Sequence, residues 1–309
     1  MTTFSLPARQ PFNFHNTVRS HGWYQVAPFH YDEAASLLTY VLRLSGGKVV
    51  ELRLTPAPDG LQVETAALTE AEQAEVSERV DWMFGLQRDF SDFYAATRHE
   101  PKLAHVEPNA YGRVLRSPTF FEDVVRTILT TNTLWAATKR MTLNLVTQFG
   151  EPVTGRGSSN PEQGGAKDVS RPDYRKAFPT PERLAAASEE QLRNETRLGY
   201  RSPYLIELAR RAASGELDIE AFKTSGLPTL ELRKELMKIK GIGAYAAANL
   251  LMILGRPDFI PIDSWATKMV SLEWHDGQPV TPAEVESHFE RWGQWKGMAY
   301  WFWNWSHQG

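Results

Sequence analysis

Asp263 is the residue of this chain best placed to do chemistry. It stands on a proline-stiffened step, Pro261-Ile262-Asp263, directly before the helical run Ser264-Trp265-Ala266. That position makes it first a helix N-cap, a role that keeps a carboxylate ionised and fixed. Upstream, Lys240-Gly241-Ile242-Gly243-Ala244-Tyr245 reads as a tight turn between two helices. Gly241 and Gly243 lack Cβ, so positive φ costs little and another backbone can come close. The turn opens a helix, whose first N–H groups lack helical partners and whose dipole favours an anion. With Lys238 and Lys240 just ahead of it, phosphate is a sensible ligand. Two polar loops carry further candidates. Asn132 sits in Thr130-Thr131-Asn132-Thr133, between apolar helices, with Leu134 beyond it. In Gly199-Tyr200-Arg201, tyrosine can stack and arginine can bond a base edge bidentately. The C-terminal Trp292, Trp295, Tyr300, Trp301, Trp303 and Trp305 have a spacing that ordinarily means packing.

The elements that must hold these residues fall into two parts. Residues 1–100 read as a small α+β domain. Leu37–Leu44, Lys48–Leu54 and Leu61–Thr65 are strand-like, with Ser45-Gly46-Gly47 as a hairpin turn. Thr69 to Phe84 is helical, opened by a Thr69-x-x-Glu72 capping box. Residues 101–309 read as helical. Ser117-Pro118 marks a helix start, with Phe121, Val124, Val125, Ile128 and Leu129 as its one apolar face. Further helices are expected at 134–149, 181–195, 204–214, 229–238, 245–254, 264–274, 282–292 and 295–305. Residues 155–172, rich in Gly, Ser, Asn and Pro, read as a mobile insertion.

The 309 residues carry a net charge of −3, which does not by itself suggest nucleic acid. The balance is −5 over residues 1–100 and +2 over the remainder, so any nucleic-acid face is a local patch. There are no cysteines, which excludes disulfides, thiolate zinc sites and cysteine-held iron–sulfur clusters. The eight histidines show no metal spacing. No apolar run reaches a membrane span, and the N-terminus has no basic, apolar signal region. A cytoplasmic protein, nucleoid-associated if bacterial, acting as a monomer, is expected.

The hairpin, the helix after it and the aspartate 18 residues beyond Tyr245 resemble the helix-hairpin-helix DNA glycosylases. The likeness is strongest at residues 118–150 and 197–272. It implies a predominantly α, α+β protein: a small antiparallel-sheet domain followed by a helical glycosylase domain. It implies double-stranded DNA as partner and Asp263 as the catalytic carboxylate. Cleaving an N-glycosidic bond builds positive charge on deoxyribose, and a buried carboxylate facing it stabilises that charge or orients a water. Members that also cut the strand carry a lysine where this chain has Tyr245, which cannot form a Schiff base. The resemblance thus implies a monofunctional enzyme without lyase chemistry.

It also assigns the remaining roles. Lys240, Gly241, Ile242, Gly243, Ala244 and Trp265 would meet DNA phosphate, and Asn132, Leu134, Tyr200 and Arg201 the gap and the opposite strand. Tyr245, Tyr300, Trp301 and Asn304 would line the base pocket. The carbonyls of Met237, Ile239 and Ile242 could face a structural monovalent cation; no other cofactor is expected. Tyr300 and Asn304 stand where 8-oxoguanine enzymes use glutamine and phenylalanine. An aromatic pocket attracts a cationic base, so N-alkylated purines are the expected substrates. A glycosylase for 8-oxoguanine, hypoxanthine or uracil, or a non-catalytic DNA-binding protein, is the alternative.

Overall fold

The computed structural model describes residues 1–154 and 176–306. The N-terminal part contains β1 (Thr2–Pro7), α1 (Phe14–Val18), β2 (His30–Asp32), β3 (Leu37–Arg43), β4 (Val49–Ala57), β5 (Gly60–Thr65), α2 (Glu70–Phe84) and α3 (Ser91–Thr97). Then come α4 (Phe120–Thr130), α5 (Trp135–Phe149), α6 (Pro181–Ala185), α7 (Glu189–Asn194), α8 (Ser202–Ala213) and α9 (Thr229–Met237). The chain ends with α10 (Ala244–Leu254), α11 (Ser264–Trp274), α12 (Pro282–Phe289) and α13 (Lys296–Trp301). Among the described residues no helix is long and apolar enough to cross a membrane. The expected insertion at 155–172 lies outside the described residues.

The strands form one antiparallel sheet in the order β1-β5-β4-β3-β2. The three expected strands are present, and the sequence reading missed the two edges. β1 has a legible signal, since Phe4 and Leu6 alternate with polar residues. It pairs with β5 so that Leu6 O lies 2.1 Å from where a Cβ on Gly60 would be, which explains the glycine at that corner. Both faces of β3 are covered. Leu38, Tyr40 and Leu42 enter the main core, while Val41 packs with Val49 and Ala177 on the other side.

The Thr69 capping box forms as expected. The start of α4 differs from expectation: Thr119, not Ser117, is the N-cap, and Ser117 instead bonds Asp123. Nor has α4 a single apolar face, for every residue from Phe120 to Leu129 is buried. Its charged residues are tolerated because they are partnered. Arg126 meets Glu122 at 3.3 Å, and Tyr40 OH donates to Glu122 from the sheet. The helices expected at 181–195 and 295–305 are shorter. The first breaks into α6 and α7, where Ser188 starts a new capping box, and the second stops at Trp301.

A single hydrophobic cluster joins the two parts, containing Leu38, Phe84, Phe120, Leu251 and Trp303 together. The C-terminal end returns to the N-terminal part through Trp301 Nε1, which donates to Ser20 O at 3.1 Å.

Candidate active site

Asp263 is the N-cap of α11, and its Oδ1 accepts the Ala266 N–H at 2.9 Å. The carboxylate is exposed rather than buried as expected, because three hollows open at it and at Tyr245. An inner cavity of about 300 Å³ runs between α4, α5, α10 and residues 21–23. A side cavity of about 260 Å³ extends toward Trp265 and Tyr300. An outer groove of about 740 Å³ follows the hairpin past Asn132 and Tyr200. Asp263 is the one carboxylate or cationic side chain that lines any of the three.

The outer groove is built from backbone. Gly241 takes φ 90°, and a Cβ there would lie 2.8 Å from the Tyr204 ring, so glycine is required twice over. Gly243 is different from expectation: its φ is −93° and a Cβ would meet nothing within 4 Å. It is the N-cap of α10 and has no side chain to cap with, so the N–H groups of Ala244 and Tyr245 stay open toward the groove. The Ile242 side chain is buried and anchors the turn. Lys240 is exposed beside it and pairs with Glu207 at 3.2 Å, a contact weak enough to exchange for phosphate. Of the carbonyls expected to face a cation, that of Ile239 accepts the Ile242 N–H at 3.0 Å.

Across the groove, Asn132 adopts φ 47°, a conformation asparagine tolerates better than most residues. Leu134 is 81% exposed at the N-cap of α5, where no side-chain cap bond forms. An apolar residue there forgoes a capping bond worth about 1 kcal/mol. Tyr200 is also exposed, its OH 3.3 Å from Thr131 O. Arg201, unlike Tyr200, is buried. It is 6% exposed, lies over the Tyr200 ring at 4.4 Å and donates to the carbonyls of Thr131 and Asn132. It therefore braces the Asn132 loop through Nη2.

The inner cavity is built from side chains. Trp135 lies on the backbone of Gly22, where a Cβ would be 2.4 Å from its Cζ2. Three indoles of this wall spend their N–H groups outward: Trp135 to Gln25 at 2.8 Å, Trp23 to Asp123 at 2.8 Å and Trp301 to Ser20 at 3.1 Å. The rings are thereby pinned while their carbon surfaces remain available to the cavity. Burial pushes the Asp123 carboxyl up to about 6, against the opposing bonds from Ser117 and the Arg126 charge. Tyr245 and Tyr300 are both raised above the usual phenol range, first by burial and then by the Asp263 charge, so both remain neutral donors.

Tyr245 and Trp301 line the inner and side cavities, and Tyr300 and Trp265 the side cavity alone, with Trp265 edge-on to Tyr300 at 6.3 Å between centroids. Gly297 brings α13 to them, since a Cβ there would meet Phe259 O at 2.5 Å. Asn304 does not join the pocket. It is exposed beyond the end of α13, with its backbone tied to Lys102. The sequence reading also missed His21, Gly22, Trp23, Trp135 and Asn249, which line the cavity. The triplet His21-Gly22-Trp23 was a usable signal, but it lies more than two hundred residues from Asp263.

Comparison with known proteins agrees with this geometry. A DNA-3-methyladenine glycosylase of Bacillus subtilis is 30% identical over 185 residues, 59% of this chain and 55% of the relative. The match thus spans about half the length of that curated relative. The fold is shared with the 3-methyladenine DNA-glycosylase of Archaeoglobus fulgidus, at TM-score 0.72 and 20% identity over 98% of this chain and 97% of the other. It is shared too with the 8-oxoguanine glycosylase/lyase of Clostridium acetobutylicum, at TM-score 0.65 and 20% identity over 92% of each. The family model described as HhH-GPD superfamily base excision DNA repair protein matches residues 125–294, more than half of the chain and both sides of the groove, and the chain belongs to that superfamily.

Proposed function

We propose that this protein is a monofunctional DNA glycosylase that removes N-alkylated purines. The observation that carries this reading is the inner cavity: indole and phenol surfaces surround a space whose one charged lining group is Asp263. A flipped cationic base gains from the π faces and from the carboxylate at the mouth. The name of the Bacillus subtilis relative supports the same substrate class.

In this mechanism the open N–H groups of Ala244 and Tyr245 hold a DNA phosphate, as an uncapped helix start does. Leu134, Asn132 and Tyr200 enter the space left by the flipped nucleotide, with Arg201 bracing their loop. The base lies against Trp23, Trp135 and Trp301, which leaves its glycosidic bond at the mouth. Asp263 stabilises the positive charge that grows on the sugar as the bond breaks, and water completes hydrolysis. An alkylated purine leaves as a neutral base, so no general acid is needed. Tyr245, standing where a lysine would attack, gives no Schiff base.

A panel of duplexes, each with one lesion, assayed for base release with and without alkali, tests this directly. Release of 3-methyladenine and 7-methylguanine, strand breaks only after alkali, and no adduct trapped by borohydride are expected. Release of 8-oxoguanine opposite cytosine without release of either methylated base would overturn the substrate class. A trapped adduct would overturn the monofunctional chemistry.

A further inference from the structure

Many hydrogen-bond donors of the inner cavity wall are already used by the protein itself. The hydroxyls of Thr127, Thr130 and Thr138 are donated to the carbonyls of Asp123, Thr127 and Leu129, and the three indole N–H groups point outward as described. Asn249 donates one amide N–H to Tyr245 O at 3.1 Å, which leaves its second N–H and its Oδ1. Against this background His21 is distinctive. It lines the cavity beside Trp23, 4.7 Å between ring centroids, and meets Trp301 edge-on at 6.4 Å. Its Nε2 bonds the Leu115 carbonyl. A carbonyl can only accept, so Nε2 carries the hydrogen and the neutral ring keeps a lone pair on Nδ1. No partner for Nδ1 is present among the described residues. Burial lowers the ring's pKa to about 4, with the Leu115 bond opposing and the Arg126 charge assisting, so the lone pair persists at neutral pH.

We propose that His21 Nδ1 accepts a hydrogen bond from the exocyclic amino group of the flipped base, making the cavity favour alkylated purines that carry an amine over those that carry none. The inference rests on the alkylated-purine reading above and deepens it. An amine finds an acceptor in this wall, whereas a base without one leaves the His21 Nδ1 lone pair unpartnered in the filled cavity.

The test uses two duplexes methylated with dimethyl sulfate, one carrying adenine at the target site and the other purine (nebularine), which has no N–H. Single-turnover release is measured for the wild-type protein and for His21→Phe. The variant should slow release of methylated adenine about tenfold and leave methylated purine unchanged, the loss of one buried hydrogen bond. Comparing the two ratios removes the intrinsic lability of each bond. His21→Gln keeps an N–H for the Leu115 carbonyl but displaces the acceptor. It should lose the same discrimination with wild-type thermal stability, and it serves if phenylalanine is not accommodated. Equal slowing on both duplexes, or slowing on neither, would overturn the role given to His21. Release of neither methylated base by the wild-type protein would overturn the alkylated-purine reading and this inference together.

Discussion

The two sides of Asp263 are built on different principles. The outer groove is backbone work: a glycine turn, an uncapped helix start and an asparagine at positive φ. The inner cavity is side-chain work, assembled from residues 21–23, α4, α5, α10 and the last residue of α13, Trp301. Backbone groups are the same in any sequence, so the groove suits a ligand whose phosphates repeat regardless of sequence. Side chains differ, so under the proposed function the cavity is where one base would be told from another. Asp263 belongs to both hollows, which fits a residue that acts where the backbone of the DNA meets the flipped nucleotide.

Substituting the shared residue has the largest expected effect. Asp263→Asn retains an N-cap for α11 but loses the charge. Single-turnover base release should fall on the order of 10²–10³-fold, while binding to lesion DNA stays within a few-fold. Undiminished release would separate the two sides and place the chemistry elsewhere.

Two buried titratable groups belong to the cavity side, His21 in its wall and Asp123 behind Trp23. An unfolded histidine titrates near 6.5 and folded His21 near 4, so stability is lost as pH falls between those values, by up to about 3 kcal/mol. Asp123 works in the opposite direction. Its folded pKa near 6 exceeds the unfolded 3.8, so stability is regained as pH falls through that range. The two effects therefore oppose one another as pH falls from 6 to 4. In His21→Gln the Asp123 effect stands alone, and denaturant melts should show the variant gaining on the wild type as pH falls. Parallel profiles would mean that His21 is not desolvated by the cavity wall.

Gly22→Ala sharpens the contrast further. Its Cβ would press on Trp135, so release of methylated adenine should drop about tenfold through misplacement of a cavity wall. Binding to undamaged DNA, a groove property, should not change. Equal loss in both assays would show that the cavity and the groove are mechanically one.

Within the groove the two hairpin glycines should part company. Gly241→Ala meets Tyr204 and a positive φ, and should cost about 1–3 kcal/mol of stability. Gly243→Ala meets open space in the free protein, so its melting should be unchanged. Its binding to all DNA should weaken by a few-fold because a methyl group then stands at the phosphate. If Gly243→Ala instead lost affinity only for lesion duplexes, the hairpin would be reading the base.

The sequence by itself determined the local pieces. The Thr69 capping box, the Gly241 turn, the Pro261-Ile262-Asp263 step and the strands β3 to β5 are each set by residues within a few positions of one another, and each formed where expected. The aspartate and its hairpin were legible for the same reason. Tertiary structure decided whatever depends on a distant partner. Arg201 is buried against Tyr200, and two loop carbonyls some seventy residues away in sequence hold its Nη2. Asn304 fell outside the pocket because α13 stops at Trp301. The polar residues of α4 entered the core because Tyr40 and Trp23 arrive from the N-terminal part to bond them. The same packing brings His21, Gly22 and Trp23 to Asp263. Side-chain periodicity reports which face of an element is buried, but not what it is buried against, and the base cavity is made entirely of the latter.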